Sequence, residues 1–297
     1  MKKKWIIGTR GSKLALRQTE IVLQKLQSLY PHYEFVIKTI KTTGDIIRNK
    51  PLHLIGGKGL FVKEIEQKLL SKEIDMAVHS VKDLPAELEK NLLLGAVLKR
   101  EDPRDAFISL TCNRLAEIKD GSRIGTSSLR RKAQILRQNK NLQVVPIRGN
   151  IETRLKKLKT ESLDGIVLAF AGIKRMGLEK YIKEIMPLNT MIPSCGQGAI
   201  GVEVRNEKDI LKLLAPVNNE HSFLEVAIER MLLAKIGGGC HLPIGIHTVI
   251  TGNTVKLYIS MGEDDDTLFI HKLYAGNINN IDGLITKVFS KLKTNRA

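Results

Sequence analysis

The sequence has few aromatic residues, few cysteines and no long apolar run, and each scarcity excludes a class of protein. Aromatic residues make up only 4% of the 297 residues, which leaves few rings on which nucleic-acid bases could stack. No apolar run approaches the roughly 20 residues that span a bilayer. The apolar run behind the basic start ends after Trp5-Ile6-Ile7, and a secretory signal needs a longer one. We therefore expect a cytoplasmic protein that does not enter the membrane.

The three cysteines, Cys112, Cys195 and Cys240, are widely spaced and form no CxxC pattern. This spacing predicts reduced thiols and no metal site. Positive charge, by contrast, is abundant: 48 Lys and Arg stand against 31 Asp and Glu, a formal net charge of +17. Such an excess indicates an anionic partner. Because stacking aromatics and nucleic-acid motifs are missing, we expect a small-molecule anion rather than nucleic acid.

Short apolar runs alternate with helical patterns over about the first 200 residues. Residues 5–7, 35–40 and 76–78 have the pattern of strands, and residues 61–71 that of a helix. A similar order of strands and helices returns between residues 123 and 169. Strands that alternate with helices predict α/β sheets, and here they predict two of them.

Two segments interrupt this alternation and mark where the chain crosses between lobes. Residues 100–107 are charged and contain Pro103, and residues 193–201 are rich in Gly and Pro. If the strand at 200–204 rejoins the first sheet, two crossings connect the lobes. The predicted fold is two periplasmic-binding-protein-like α/β lobes with a central cleft, plus a small α+β C-terminal domain. The predicted domains are 1–99 with 200–216, 100–199, and 217–297.

The C-terminal domain is predicted from its own pattern. Residues 220–236 form a strongly amphipathic helix that ends at Gly237-Gly238-Gly239. Three antiparallel strands then follow with turns at 252–253 and 263–266, at residues 244–250, 255–261 and 267–274. A last helix covers about residues 281–292.

The loops where the predicted strands end contain a common set of side chains. In open α/β sheets, ligands bind beyond the carboxyl ends of the strands. The loops TRGSK, GGKGLF, GTSSLRR and PIRGN, with the helix that follows PIRGN, supply Arg10, Ser12, Lys58, Thr126, Ser128, Arg130, Arg131, Arg148 and Arg154. Arginine forks bind carboxylates or phosphates, and cations in a first helical turn oppose the helix dipole. The pattern favours an anion site, although a helix cap followed by surface charge stays an alternative for any single loop.

The stretch HSVKDLP places Lys82 and Asp83 where the strand at 76–78 ends. Because TRGSK, GTSSLRR and PIRGN contain no carboxylate, we expect Asp83 to be a lone anion among cations, which favours its ionised form. A fixed carboxylate in a cationic cleft can stabilise positive charge that develops on a substrate. In GGGCHLPIG, the glycines leave Cys240 little shielded, which favours a reactive thiol over a buried one.

Together these blocks resemble the porphobilinogen deaminase family, also called the hydroxymethylbilane synthase family. The matching blocks keep the family order from Arg10 to Gly245: RGSKLAL, GGKGLFVKEIE, HSVKDLP, REDPRDAF, GTSSLRR, IRGNIETRL, GQGAIGVE and GGGCHLPIG. The resemblance implies a monomeric transferase of tetrapyrrole (haem) biosynthesis. Such an enzyme joins four porphobilinogen molecules head to tail into hydroxymethylbilane and releases ammonia. It also implies a covalent dipyrromethane cofactor held through a thioether.

The resemblance assigns roles by matching motif. Asp83 is then the catalytic carboxylate, and Cys240 is the thiol that attaches the cofactor. Residues implied to bind the cofactor are Cys240, Ser80, Lys82, Asp83, Thr126, Ser128, Arg130, Arg131, Arg148 and Arg154. Residues implied to bind the substrate are Arg10, Ser12, Lys58 and Phe61. The sequence departs from the family at Ser194-Cys195, which makes Cys195 a candidate for a second reactive thiol.

A binding protein is the competing class. Two α/β lobes joined by two crossings also describe solute receptors and regulator effector domains, which close on anions without chemistry. Neither class needs a carboxylate at Asp83 or an accessible thiol at Cys240, so these two residues discriminate between the hypotheses.

Overall fold

The computed structural model describes residues 3–46, 62–238, 242–262 and 268–294. The strands in these ranges are β1 (Lys4–Arg10), β2 (Glu34–Ile40), β3 (Met76–Ser80), β4 (Leu92–Val97), β5 (Asp105–Ser109), β6 (Arg123–Gly125), β7 (Gln143–Val145), β8 (Gly165–Ala169), β9 (Glu184–Ile185), β10 (Ile200–Arg205), β11 (Gly245–Thr251), β12 (Thr254–Gly262) and β13 (Leu268–Asn277). The helices are α1 (Lys13–Leu29), α2 (Thr43–Ile46), α3 (Lys63–Leu70), α4 (Leu129–Gln138), α5 (Ile151–Thr160), α6 (Phe170–Arg175), α7 (Lys208–Leu214), α8 (Glu220–Ile236) and α9 (Ile281–Thr294). Among them, none combines the length and the apolar character that a membrane crossing requires.

The first sheet has the strand order β2-β1-β3-β10-β4. β1 runs parallel to β2 and β3, whereas β10 runs antiparallel to β3 and β4. The chain therefore returns after the second sheet and inserts β10 into the first, as the pattern at residues 200–204 indicated. Helix α1 covers one face with Val22 and Leu26, which pack with Trp5 and Ile7 of β1. Its first turn is capped by Ser12, whose hydroxyl accepts a hydrogen bond from the Ala15 N–H.

The second sheet has the order β7-β6-β8-β5-β9. β6 runs parallel to β7 and β8, and β5 runs antiparallel to β8 and β9. Apolar side chains of β5 and β8 point to alternate faces, so that Phe107 and Val167 belong to one buried cluster and Ile108 and Ile166 to another. Both sheets thus have cores on two faces, which confirms the predicted α/β class for the two lobes.

The third sheet is the antiparallel meander β11-β12-β13. Helices α8 and α9 pack on it around Ile228, Leu232, Ile285 and Val288. Helix α8 has the predicted bounds and ends at Gly237, which has φ 70° and closes the helix in the left-handed conformation. The small α+β domain is therefore confirmed as a fold.

The amphipathic character predicted for α8 is wrong in one respect. Its buried residues include Ser222, Glu225 and Glu229 as well as apolar ones. These polar groups are buried because the helix faces the polar crossing segments as well as its own sheet, as the site below shows. Residues 92–97 and 105–109 were not predicted as strands, although both lie within the sheets as β4 and β5.

The two crossings pack closely against each other at Gly198. The Glu101 N–H donates to the Gly198 carbonyl at 3.3 Å, and Gly198 has φ +88°. A Cβ atom at this glycine would collide with the Glu101 carbonyl oxygen. Only glycine combines this backbone conformation with so close an approach, which explains the GQG sequence at the second crossing.

Candidate functional site

A pocket lies at the carboxyl ends of β1 and β3. Four predicted site residues line it: Arg10, Ser12, Ser80 and Asp83. Gln18 and His79 line it as well. Ser12 is the α1 cap, and Ser80 lies at the end of β3 with its hydroxyl 2.8 Å from Gln18 Nε2. The structure thus brings together the TRGSK and HSVKDLP motifs, which are about 70 residues apart in the sequence.

Arg10 is not a lone cation in this pocket. Its guanidinium pairs with Asp45 of α2, a short helix that the pattern analysis missed. Burial alone would raise the pKa of Asp45, but the Arg10 hydrogen bond and charge lower it. Asp45 therefore partly neutralises the positive charge that Arg10 presents to an anionic substrate.

The GTSSLRR motif forms the start of α4 in the second lobe. Ser128 is the N-cap, and its hydroxyl accepts a hydrogen bond from the Arg131 N–H at 3.4 Å. The hydroxyl of buried Thr126 accepts from the Ser128 N–H at 3.2 Å. Both hydroxyl groups therefore stabilise the turn that begins the helix. The predicted contacts of Thr126 and Ser128 with the cofactor stay a prediction.

Arg130 and Arg131 are buried and both pair with Asp105 at the start of β5. Arg130 Nη1 lies 2.7 Å from one carboxylate oxygen, and Arg131 Nη2 lies 2.7 Å from the other. Burial alone would raise the pKa of Asp105, but the two guanidinium charges hold it well below its usual range. One expectation is therefore wrong: Asp83 is not the lone anion among the cations, because Asp105 pairs with both arginines. The pattern missed this because Asp105 lies in the crossing segment and not in a strand-end loop.

The remaining arginines follow β7 and begin α5. Asn150 caps α5, with its side chain accepting from the Thr153 N–H at 2.8 Å. Arg154 Nε donates to the Gly149 carbonyl at 2.8 Å, which turns the side chain back toward the PIRGN loop. Arg148 and Arg154 are both half-buried, so their charged groups lie in the structure rather than in bulk water.

Electrostatic effects show that the motifs of both lobes form one group of charges. Burial lowers the pKa of Lys82 to about 8, with Asp83 and Asp105 raising it and Arg131 and Arg130 lowering it further. Burial, then Arg131 and Arg148, lower the pKa of Arg154 to about 10, while Asp83 raises it. Charges act on one another in this way only at short range. We call this group the cationic cluster: Lys82, Arg130, Arg131, Arg148 and Arg154.

Three predicted site residues lie outside the described residues: Lys58, Phe61 and Cys240. Their predicted roles stay predictions. Among the described residues, no three His, Cys, Asp or Glu side chains converge as metal ligands.

Sequence analysis missed a second set of buried charges that connects the crossings to the third domain. Glu229 of α8 accepts hydrogen bonds from Arg100 Nη1 at 2.7 Å and from the Gly196 N–H at 2.6 Å. It also accepts from the Thr248 N–H at 2.8 Å, and His247 Nδ1 lies 3.1 Å away. Burial alone would raise the pKa of Glu229, but Arg100 and His247 lower it to about 2. Only the periodicity break in α8, a glutamate on its buried face, indicated this residue.

Gln197, the central residue of GQG, connects the crossings to the cationic cluster. Its Nε2 donates to Asp105 at 2.9 Å and to the Pro103 carbonyl at 2.6 Å. Cys195, two residues earlier, packs against the core of the third domain. Burial, and then the charge of Glu229, raise the pKa of the Cys195 thiol. A raised pKa disfavours the thiolate, so the structure gives no support to Cys195 as a second reactive thiol.

The arrangement can hold a polyanion and place one carboxylate beside it. The cationic cluster contains five positive side chains, and Asp83 and Asp105 supply two negative ones, which leaves an excess of three. Several carboxylates on one ligand can bind such a group of cations through charge-assisted hydrogen bonds. Asp83 itself is exposed, so a ligand can reach it.

Comparisons with known proteins identify the family. A family model described as "Porphobilinogen deaminase, dipyromethane cofactor binding domain" matches residues 5–212, and "Porphobilinogen deaminase, C-terminal domain" matches residues 223–293. The chain is 50% identical over 252 residues to the porphobilinogen deaminase of Syntrophomonas wolfei, covering 84% of this chain and 82% of that protein. It is 48% identical over 277 residues to that of Bacillus cereus, covering 92% and 90%.

Among solved structures, the chain is similar to a TRAP periplasmic solute binding protein from Desulfovibrio salexigens, with a TM-score of 0.46 and 10% identity over 80% of each chain. It is also similar to the periplasmic aliphatic sulphonate binding protein of Escherichia coli, with a TM-score of 0.41 and 11% identity over 80% of this chain and 71% of that one. The sequence matches extend over both lobes and the third domain. The chain therefore belongs to the porphobilinogen deaminase family.

Proposed function

We propose that this chain is a porphobilinogen deaminase. It condenses four porphobilinogen molecules head to tail into hydroxymethylbilane and releases ammonia, as a transferase of tetrapyrrole biosynthesis. One observation supports this proposal most strongly: buried and half-buried cations from both lobes form one group of charges with the exposed carboxylate of Asp83, in a chain that matches the family over nearly its whole length.

The charge of the substrate fits the charge of the cluster. Each porphobilinogen brings two carboxylates, so the growing chain accumulates negative charge as it lengthens. Arginine forks bind carboxylates with two parallel hydrogen bonds. Arg130 and Arg131 already donate to Asp105, to the Ser194 hydroxyl and to the carbonyls of Ile192 and Val167. We therefore infer that Arg148 and Arg154, with the few donors that Arg130 and Arg131 keep, bind the ligand carboxylates.

The same excess of cations fits the dipyrromethane cofactor that the family model names. When bound, this group supplies the primer to which pyrrole units are added. The residues proposed to hold its acetate and propionate side chains belong to the cationic cluster, with Ser80, Thr126 and Ser128 as neighbouring polar contacts. The proposed covalent attachment is a thioether to Cys240.

Asp83 and Lys82 have different proposed tasks in the same turn. Loss of ammonia and carbon–carbon bond formation both place positive charge on a pyrrole. A carboxylate at Asp83 stabilises that charge best because it is fixed in position before the charge develops. Lys82 is partly desolvated by burial. Because water then screens its charge less, its attraction to a substrate carboxylate is stronger. Arg10, Ser12, Lys58 and Phe61 are proposed to contact the incoming substrate.

The remaining parts of the proposal concern the whole chain. Sheet membership supports three domains at 1–99 with 200–216, 100–199 and 217–297, since β10 lies in the first sheet and β11–β13 form their own. The free thiols of Cys112 and Cys195 support a reducing, cytoplasmic location. We propose a monomer without nucleic-acid partners.

The competing hypothesis is a two-lobed anion-binding protein or regulator effector domain without catalysis. The family match favours the deaminase, and a turnover assay separates the two. Purified chain is mixed with porphobilinogen, and ammonia and the linear tetrapyrrole are both quantified. We expect four ammonia molecules for each tetrapyrrole released.

Two variants make the turnover assay specific to the site. Asp83→Asn should abolish most of the ammonia release. Asp120→Asn is the matched control, because Asp120 is an exposed aspartate that contacts Asn139 and Asn141 away from the cluster. Substrate binding by wild type without ammonia release would contradict the proposal and favour the binding protein.

A further inference from the structure

The first lobe contains a buried acidic cluster that the proposed mechanism does not use. It consists of Glu66 on α3, His79 on β3 and Glu203 on β10, which are 8%, 5% and 0% exposed. The strand register pairs His79 with Gly201 and Ala77 with Glu203. His79 and Glu203 are therefore diagonal neighbours on one face of the sheet, the face that α3 covers.

The geometry brings an imidazole and two carboxylates together inside the first lobe. His79 Nε2 lies 2.9 Å from a Glu203 carboxylate oxygen. Within the described ranges, no well-oriented hydrogen-bond donor reaches either carboxylate oxygen of Glu203 or Oε1 of Glu66. Glu66 accepts one backbone hydrogen bond from Glu89, but two buried carboxylates with so few donors repel each other and cannot both stay ionised at low cost. At neutral pH the cluster therefore holds fewer negative charges than two free glutamates would.

Burial, together with neighbouring charges, brings the pKa of Glu66 near neutral pH. Burial, and then the charge of Glu203, raise the pKa of Glu66 to about 7, with His79 lowering it and Glu89 raising it. Glu203 also acts on Arg230 of α8, whose pKa burial lowers and the charge of Glu203 raises. Below this pKa Glu66 is neutral, and above it the cluster gains a negative charge.

The cluster lies directly behind the turn that contains Lys82 and Asp83. His79 is followed by Ser80, which is held to Gln18 of α1 by its hydroxyl. Val81, the first residue of the turn, donates its N–H to the Ala199 carbonyl at 3.1 Å, immediately before β10. The turn is thus hydrogen-bonded to the residue that precedes β10, the strand that contains Glu203. A second negative charge would push Glu66 and Glu203 apart and so displace α3 relative to β10 and β3, the two strands that position this turn.

We propose that His79 is a positioning residue for the Lys82–Asp83 turn, and that the proton it shares with Glu66 and Glu203 sets the pH range in which the turn is correctly placed. This inference rests on the proposed function only in assigning catalysis to the turn. The coupling between cluster and turn belongs to the chain itself and can be measured without substrate.

The first test follows the cluster and the turn by NMR in the full-length protein between pH 5 and 9. In wild type, the His79 ring resonances and the Val81 amide should both show a step near pH 7. Glu66→Gln keeps the size of the side chain and removes its charge, so it should abolish that step or move it by at least about half a pH unit. Glu64→Gln is the matched control on the same helix, because Glu64 contacts Thr43 and not the cluster.

The same three proteins are then assayed for turnover across that pH range. The midpoint of the wild-type rate profile should move in Glu66→Gln by the amount seen at Val81, and stay in place in Glu64→Gln. A Val81 amide that titrates identically in all three proteins overturns the inference, and so does a rate profile that ignores the Val81 shift. If wild type shows the NMR steps but no ammonia release, the proposed function fails and with it the catalytic assignment of the turn, while the coupling stands.

Discussion

Asp105→Asn removes one negative charge from the buried centre of the second lobe without changing the size of the side chain. Asp105 is fully buried and accepts from Arg130 at 2.7 Å, from Arg131 at 2.7 Å and from Gln197 at 2.9 Å. In the variant, an NH₂ group faces a guanidinium donor, and the only anion paired with these two arginines within the described residues is lost. Breaking a buried ion pair by removing one partner costs about 3–5 kcal/mol.

This loss can be measured as a change in melting temperature. A chain of this size loses about 2–4 °C per kcal/mol, so Asp105→Asn should melt roughly 6–20 °C below wild type at pH 7 by circular dichroism. Asp102→Asn is the matched control in the same segment, because Asp102 pairs with Arg104 while their side chains are 23% and 39% exposed. Such pairs contribute at most about 1 kcal/mol. Equal melting temperatures of wild type and Asp105→Asn would refute the reasoning.

The pH dependence of that difference has a definite sign. The folded protein lowers the pKa of Asp105 from 3.8, so the pair stabilises the fold above that pH. The stabilisation is lost as pH falls through the lowered pKa. The gap between wild type and Asp105→Asn should therefore be full at pH 7 and narrow below pH 4.

Three further predictions concern the site residues. Asp83→Asn should retain the fold and lose on the order of 10²-fold in single-turnover rate, whereas Asp83→Glu should be slow but active; equal rates would make the charge irrelevant. Because Lys82 loses its proton near pH 8, KM for porphobilinogen should rise above that pH, and Lys82→Arg should move the rise upward by at least about one pH unit; an unmoved rise would exclude Lys82 as its cause. Iodoacetamide at pH 8 should modify Cys112 at least about tenfold faster than Cys195, whose pKa burial raises; comparable rates would show that Cys195 is accessible.

Local pattern was sufficient for the long helix α8 and for most strands of the first two sheets, but not for β4, β5 and α2. Helix α8 has the predicted bounds because its cap Asn219 and its terminal Gly237 are both sequence signals. The strand-end loops were located for a similar reason: strands can be recognised from apolar runs, and the loops that follow them are where an α/β sheet binds ligands. The roles of their side chains stay predictions.

Pairing across the fold could not be predicted in this way. Asp105 meets Arg130 and Arg131 only because β5 lies antiparallel to β8, beside the start of α4. Glu229 meets Arg100 through the packing of the third domain on the crossings. In both cases the partners are more than 20 residues apart, and nothing in the local sequence selects one carboxylate over another.

The central claim is that this chain builds its tetrapyrrole on a dipyrromethane attached to Cys240. Intact-mass measurement of the purified full-length protein, followed by peptide mapping, tests it most directly. We predict a mass increase equal to two condensed pyrrole units, located on the peptide that contains Cys240 and absent from Cys240→Ala. An unmodified wild-type chain, or an adduct on Cys112 or Cys195, would contradict the account.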